Sequence, residues 1–205
     1  MGTDALPASA GDRPPLGEES IVDAALEIVR ANGVQGLNMR SLTDRLGVSL
    51  GATYRHVRGK QELLEACARR IFAEVAEGAP GELPLDAPKA LRDILVRLID
   101  TVGTYPGLAP WINQNIRLDS TALTPLFMEA LGEAGRTPEQ IRRIMHVLVF
   151  YVQGALLADF RQVLRSVGVD DYADQLRLDI EHIMGPERFL APGEAPSADP
   201  VHPAD

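Results

Sequence analysis

The side chains of this 205-residue chain that are best suited to chemistry are basic, and five of them lie close together. Residues 38–60 contain one acidic residue, Asp44, and five basic residues: Arg40, Arg45, Arg55, Arg58 and Lys60. The chain as a whole has a formal net charge of −9, so this basic segment runs against the general composition. Guanidinium and ammonium groups bind phosphate, and a local basic patch can do so on an acidic body. Such clusters are usually solvated surface, so the segment is compatible with nucleic-acid binding but does not by itself establish it.

Enzymatic chemistry is not indicated by the other reactive side chains. The four histidines are far apart in the sequence and lack the spacing of metal ligands: His56, His146, His182 and His202. The single cysteine, Cys67, lies on an apolar helical stripe, and no phosphate-binding loop or nucleophile elbow is present. We therefore expect no enzyme, no metal and no cofactor.

The composition is that of a globular protein, with 45% hydrophobic and 24% charged residues. One cysteine excludes an intrachain disulfide, and neither a membrane span nor a secretory signal is recognisable, so a cytoplasmic protein with no membrane association is expected. The proline-rich ends, 1–17 and 186–205, are predicted to be a disordered arm and tail. Between them, residues 18–64 and 65–185 are predicted to form two helical domains.

The apolar periodicity predicts helices throughout and no strands, which gives an all-α fold class. Local capping patterns mark several starts: Ser20 with Asp23, Asn38, Asp86, and the sequence Thr137-Pro138-Glu139-Gln140. The predicted helices span about 20–32, 39–46, 50–56, 60–77, 87–104, 108–116, 121–134, 138–166 and 170–184.

The second and third predicted helices are short and are separated by Gly47, which is the pattern of a helix-turn-helix. Four apolar residues are expected to face inward and hold the two helices at a steep angle: Leu42, Leu46, Val48 and Leu50. An ordinary helical hairpin uses the same features, so the pattern alone does not establish DNA binding.

Residues 20–77 resemble the TetR family of bacterial regulators. The resemblance is carried by Asn32-Gly33 at the end of the first helix, by LTDRLGVS at 42–49, by Tyr54-Arg55-His56-Val57, and by Lys60-Gln61-Glu62-Leu63-Leu64. Thr43 and Val57 depart from the alanine and phenylalanine that are commoner in the family. The resemblance implies an N-terminal three-helix helix-turn-helix domain followed by a helical ligand-binding and dimerisation domain.

The resemblance also implies roles for individual residues. The helix 50–56 would enter the major groove, Tyr54 and Lys60 would contact phosphates, and Arg40 and Ser41 would contact the DNA backbone. Thr53, Arg55 or His56 would read bases, and Arg40 would be able to reach a guanine edge. The complete set of candidate DNA-binding residues is Arg40, Ser41, Ser49, Gly51, Thr53, Tyr54, Arg55, His56 and Lys60.

The long helix predicted at 138–166 is apolar nearly all round, so it requires cover on several sides. A second copy of the chain would supply that cover, and the two copies would form a four-helix bundle across a two-fold axis. A homodimer would also present two recognition helices to a palindromic site. The candidate interface residues are Gly154, Ala155, Ala158, Tyr172, Leu176 and Ile180.

A small hydrophobic ligand is expected to bind in the rear domain, among apolar residues with a few polar groups. His146 and Gln153 interrupt an apolar helix seven residues apart and would need polar partners if buried. The candidate lining residues are Phe72, Trp111, Asn115, Phe127, Met128, His146, Phe150 and Gln153.

The sequence therefore predicts a dimeric repressor that a ligand releases from its operator. In the family, a ligand is expected to favour one position of the fourth helix and so change the spacing of the recognition helices. Two alternatives stay open: control by a protein partner or by no small molecule, and activation of transcription instead of repression.

Overall fold

The computed structural model describes residues 16–78, 87–117 and 121–157, and short stretches at 166–168, 174–175, 178–179 and 182–183. In these residues helix is the only regular secondary structure, and the all-α prediction is confirmed. The helices are α1 (Glu18–Gly36), α2 (Met39–Leu46), α3 (Leu50–Thr53), α4 (Lys60–Glu77), α5 (Ala87–Gly103), α6 (Leu108–Asn115), α7 (Leu123–Glu133) and α8 (Pro138–Leu157).

The N-terminal helices form a helix-turn-helix unit in which α1 packs against α2 and α4, and α2 packs against α3. Ile21, Ala25 and Val29 lie on one face of α1 and are fully buried, as are Leu42 of α2 and Leu63 of α4. The 3.6-residue repeat of a helix places such residues on one stripe, which explains why the three elements share one core. The buried faces set the outward face of the unit, where the candidate DNA-binding residues lie.

The predicted cap at Asn38 is confirmed, because its Oδ1 accepts hydrogen bonds from the backbone N–H groups of Arg40 at 3.0 Å and Ser41 at 2.9 Å. The cap at Thr137 is confirmed as well. Gln140 Oε1 accepts from Thr137 N–H at 2.9 Å, and Thr137 Oγ1 accepts from Gln140 N–H at 3.3 Å.

The prediction that Ser20 begins α1 was wrong. The helix begins at Glu18, and Ser20 lies in its first turn, where its Oγ accepts from Gly17 N–H at 3.1 Å. A serine can occupy either the N-cap or the first turn of a helix, since its hydroxyl both donates and accepts hydrogen bonds.

The end of α1 is fixed by contact with the rear domain. Helical geometry breaks at Gly33, whose φ of 68° and ψ of 175° are accessible almost only to glycine, and then resumes for a short turn. Val34 N–H donates to the carbonyl of Pro106 at 2.9 Å. A Cβ at Gly33 would lie 3.1 Å from that same Pro106 oxygen. Gly33 therefore allows the close approach of the two backbones.

The rear domain is built from α5, α7 and α8, which pack on one another, with α4 against α5 and α7 and α6 against α8. The apolar residues of α5 recur at helical spacing, and all five are buried: Leu91, Ile94, Leu95, Leu98 and Val102. Helix α4 runs without a break past residue 64, where the domain boundary was predicted, so one helix belongs to both halves.

Two predictions for the third helix were wrong. Helix α3 ends at Thr53, and residues 54–56 form a turn instead of continuing to 56. Leu50, expected to face inward, is 47% exposed, whereas Thr53 is fully buried. In the part of the chain that the structure describes, none of the helices combines the length and apolar character that a bilayer span requires.

Candidate nucleic-acid interface and ligand cleft

The turn between α2 and α3 orients the candidate recognition element. Gly47 adopts the left-handed conformation, with φ 66° and ψ 33°, and its N–H donates to Thr43 carbonyl at 2.8 Å. Ser49 then caps α3, because its Oγ accepts from Ala52 N–H at 3.3 Å. Ser49 thus stabilises the start of α3, and its side chain is exposed.

Three arginine side chains of the basic segment are exposed and have no ion-pair or hydrogen-bond partner among the described residues: Arg40, Arg55 and Arg58. Arg45 differs, because it forms an ion pair and a hydrogen bond with Glu27 across to α1. Three of the four arginines are therefore available to an anionic partner, while the fourth is neutralised within the protein.

The side chains of Tyr54 and His56 are exposed next to α3 and also have no hydrogen-bonding partner in the described part of the chain. Tyr54 is 48% exposed, so its hydroxyl is able to donate to a phosphate. Gly51 is exposed too, and a Cβ built on it would meet no atom within 4 Å. The outward face of α3 and its following turn thus carries Leu50, Gly51, Tyr54 and Arg55.

Thr53 cannot read bases from its observed position, and that prediction was wrong. Its side chain is fully buried, and Oγ1 has no hydrogen-bond partner. Helix α3 is a single turn that rests against the core through Thr53, while Leu50 and Tyr54 are turned to the outside. Leu50 and Arg58 are the residues that the sequence reasoning missed as site candidates, and an exposed leucine can contact the methyl group of thymine.

Ser41 and Lys60 are both engaged inside the protein. Ser41 Oγ accepts from Asn38 N–H at 3.0 Å and donates to the carbonyl of Gly36, also at 3.0 Å. Lys60 Nζ donates to the carbonyl of Val34 at 2.7 Å. Lys60 keeps two further N–H donors, but its position is set by the end of α1.

The predicted ligand residues separate into two places. Phe72 and Phe127 are buried and line a small apolar cavity of about 40 Å³ between α4, α5, α7 and α8. Five others line an open cleft of about 1010 Å³ between α6, α7 and α8: Asn115, Met128, His146, Phe150 and Gln153. Ligand sites usually have volumes of about 300–1,000 Å³, so the cleft has the size of a ligand site and the small cavity does not.

Several of these side chains differ from their predicted surroundings. Trp111 is half-buried, packs against the core and lines neither space. His146 is exposed and makes an edge-to-face contact with Phe150, with 4.9 Å between ring centroids. Asn115 is exposed, and its Oδ1 accepts from Gln61 Nε2 at 3.1 Å. His146 and Asn115 are therefore solvent-facing and do not need buried partners, whereas Gln153 is half-buried.

Helix α8 buries one stripe and exposes another. The buried stripe is Ile144, Leu148, Val152, Ala155 and Leu156. Ala155 therefore belongs to the core of its own chain, and its prediction as an interface residue was wrong. Val147 is 37% and Phe150 61% exposed, and Gly154 continues this stripe with open space beside it. Ala158, Tyr172, Leu176 and Ile180 lie outside the described residues.

Cys67 lies in the core, where burial disfavours the thiolate form of its side chain. It is fully buried, and burial raises the pKa of its thiol from 9.0 to about 12. Among the described residues no three histidine, cysteine, aspartate or glutamate side chains are grouped so that they could hold a metal ion.

Comparison with known proteins identifies the family. Residues 21–67 match the model of the bacterial regulatory proteins of the tetR family. The class A tetracycline repressor from transposon 1721 of Escherichia coli is 42% identical over 151 residues, which cover 70% of this chain and 67% of that protein. The chain belongs to the TetR family. The transcriptional repressor DrrR1 of Streptomyces coeruleorubidus is 28% identical to this TetR-family chain over 201 residues, 92% of this chain and 69% of the repressor.

Solved structures show the same TetR fold. A TetR variant from Acinetobacter baumannii AYE in complex with minocycline has a TM-score of 0.65 at 20% identity, covering 82% of this chain and 91% of that one. BioQ with its natural double-stranded DNA operator has a TM-score of 0.60 at 23% identity, covering 82% of this chain and 95% of that one.

Proposed function

We propose that this TetR-family chain is a transcriptional repressor that binds a palindromic operator as a homodimer and releases it when a hydrophobic small molecule binds. The observation that carries the proposal is the set of exposed arginines around α3 that have no partner among the described residues, in a chain that also has a ligand-sized cleft in its rear domain. The names of the relatives support it, since two are repressors and the structures include one with an operator and one with a drug.

DNA recognition in this proposal divides between phosphate and base contacts. Arg40, Arg58 and the Tyr54 hydroxyl would bind phosphates and position the protein on the duplex. Leu50, Arg55 and the open surface at Gly51 would face base edges in the major groove. Because α3 is a single turn, the recognition surface must include the turn at 54–56 that follows it.

The homodimer would be formed through the exposed stripe of α8. Val147, Phe150 and Gly154 follow one another at helical spacing, and the glycine lets a second helix approach closely. A two-fold dimer would separate the two recognition helices by about 34–36 Å, which is one turn of DNA. Val147→Arg should place charge in this contact and leave a monomer of 22.2 kDa in sedimentation at micromolar concentration. If this variant remained a dimer, α8 would not form the interface.

Helix α4 is the element that would couple the two sites. Its first residue, Lys60, binds Val34 of α1, Gln61 binds Asn115 of α6, and Phe72 lines the small cavity beside the cleft. A ligand that prefers one position of α6 and α4 would change the orientation of the helix-turn-helix units. A coupling free energy of about 1–3 kcal/mol would be enough for a useful loss of operator affinity.

The proposal is tested with the DNA upstream of the chain's own gene. Fluorescence anisotropy of a labelled duplex measures binding, and hydrophobic metabolites are then screened for release. Specific binding with release by at least one compound is the expected result. Specific binding that no compound reverses would favour control by a protein partner, and an absence of specific binding would refute the regulator assignment for this DNA.

A further inference from the structure

The cleft between α6, α7 and α8 contains positive ionisable side chains and, among the described residues, no acidic one. Its ionisable lining residues are Arg117, Arg142 and His146. The whole chain, in contrast, has 29 acidic and 20 basic residues. The described lining of the cleft is therefore basic in composition, whereas the chain as a whole is acidic.

Arg142 is the best-defined of these groups. It is exposed, and it forms no hydrogen bond or ion pair with the described residues. The acidic residue closest to it on α8, Glu139, is already paired with Arg143. His146 lies one helical turn further on, so Arg142 and His146 face the same side of α8. The positive charge of Arg142 is thus directed to the cleft without an internal counter-charge.

The rest of the cleft is mainly apolar. Ile141, Met145 and Val149 of α8 are half-buried along its wall, and Met128 of α7 is exposed opposite them. Thr124, Met145 and Val149 also line the small apolar cavity, so the apolar surface continues inward from the cleft. The cleft thus offers an apolar wall with a cationic group at one side, and its volume of about 1010 Å³ accepts a multi-ring molecule.

We infer that the effector of this site is an amphipathic organic anion, a molecule with an apolar ring body and one carboxylate, sulfonate or phosphate group placed at Arg142. An exposed guanidinium with no acidic neighbour among the described lining residues attracts anions, and a charge-assisted contact to guanidinium is stronger than a neutral one. A wholly neutral ligand would offer Arg142 no such contact. This inference rests on the proposed function in one respect, which is that the cleft is the effector site.

Two fluorescent dyes with the same ring skeleton test the inference on the full-length protein. Anilinonaphthalene sulfonate carries a negative charge, and phenylnaphthylamine is the same skeleton without the sulfonate. Arg142→Gln should weaken binding of the sulfonate about threefold to fivefold, as expected for an exposed charge pair, and leave the neutral dye unchanged. Arg142→Lys should keep most of the affinity. Arg70→Gln is the matched control, because Arg70 lies on α4, does not line the cleft and is paired with Glu74, so its loss frees no carboxylate beside Arg142. It should change neither dye.

Equal effects of Arg142→Gln on both dyes, or no effect on the sulfonate, would overturn the inference, and so would failure of the sulfonate to bind the wild-type protein. The same proteins are titrated with the labelled operator duplex in the absence of dye. Normal operator binding without the charge-dependent dye pattern would reject the anion and leave the repressor assignment intact. The charge-dependent dye pattern without any specific DNA binding would support the anion and reject the repressor assignment.

Discussion

Arg40 offers a quantitative test of the phosphate contacts, because α2 contains a second arginine that serves as its control. Arg40 is exposed and has no partner among the described residues, whereas Arg45 is paired with Glu27. Both lie on the same short helix, and in both the change to glutamine shortens the side chain by two bonds. Arg40→Gln should therefore remove a cation from the DNA surface, and Arg45→Gln should only break an internal ion pair.

The size of the effect follows from counterion release. Each phosphate contact contributes about 0.9 to the slope of log affinity against log salt, so two copies in a dimer contribute about 1.8. Between about 50 and about 200 mM salt, the ratio of wild-type to Arg40→Gln affinity should then shrink about twelvefold. Arg45→Gln should leave the slope unchanged and cost at most about 1 kcal/mol of stability.

Fluorescence anisotropy of a labelled operator, repeated at four or more salt concentrations, measures both slopes. A duplex of scrambled sequence separates phosphate contact from base reading. If Arg40 binds phosphate, both duplexes lose affinity alike. A loss confined to the operator would instead assign Arg40 to a guanine edge. Identical slopes for Arg40→Gln and wild type on both duplexes would refute the reasoning.

Three further substitutions test other parts of the account. Thr53→Val removes a buried hydroxyl that lacks a partner and should raise the free energy of unfolding in urea by about 1 kcal/mol, with operator affinity retained; a large loss of affinity would show that the hydroxyl reaches DNA. Lys60→Met removes the donor to Val34 carbonyl and should lower stability by about 1 kcal/mol, and an unchanged urea midpoint would contradict this. The folded state holds the Cys67 thiol protonated. The free energy of unfolding of the wild type should therefore fall relative to that of Cys67→Ala as the pH rises from 9.0 towards about 12. Parallel pH profiles for the two proteins would be inconsistent with the raised pKa.

Local signals in the sequence were sufficient for most of the fold. The caps at Asn38 and Thr137 depend on side chains two or three residues from the backbone groups they satisfy, so the pattern itself contains the contact. The apolar stripe of α5 is long enough to indicate which face of the helix is buried. These features follow from helix geometry and need no knowledge of the tertiary structure.

The errors arose where the sequence does not determine the phase of a helix. Helix α3 has four residues, too few to show which face is apolar, and so Leu50 and Thr53 were assigned to the wrong sides. Helix α8 is apolar nearly all round, so the choice between Ala155 and Val147 as the exposed residue depended on its neighbours α5, α6 and α7. Packing between distant elements decided these orientations.

Contacts that join distant parts of the chain were also invisible in the sequence. Lys60 was expected to bind phosphate, but its bond to Val34 depends on how α1 ends against Pro106. Asn115, Met128 and His146, which were predicted to line a ligand site, lie along one open cleft and not in a closed core. Residue type suggested which side chains to group, and only the fold showed that the space between them is open.

The central claim is that two copies of the surface around α3 bind duplex DNA together, and hydroxyl-radical footprinting of the protein on its own upstream DNA tests it most directly. The account predicts two protected patches on one face of the duplex, about ten base pairs apart and related by a two-fold axis. Substituting Tyr54 and Arg55 should abolish both patches at once. A single patch, protection without sequence preference, or a footprint that survives these substitutions would contradict the account.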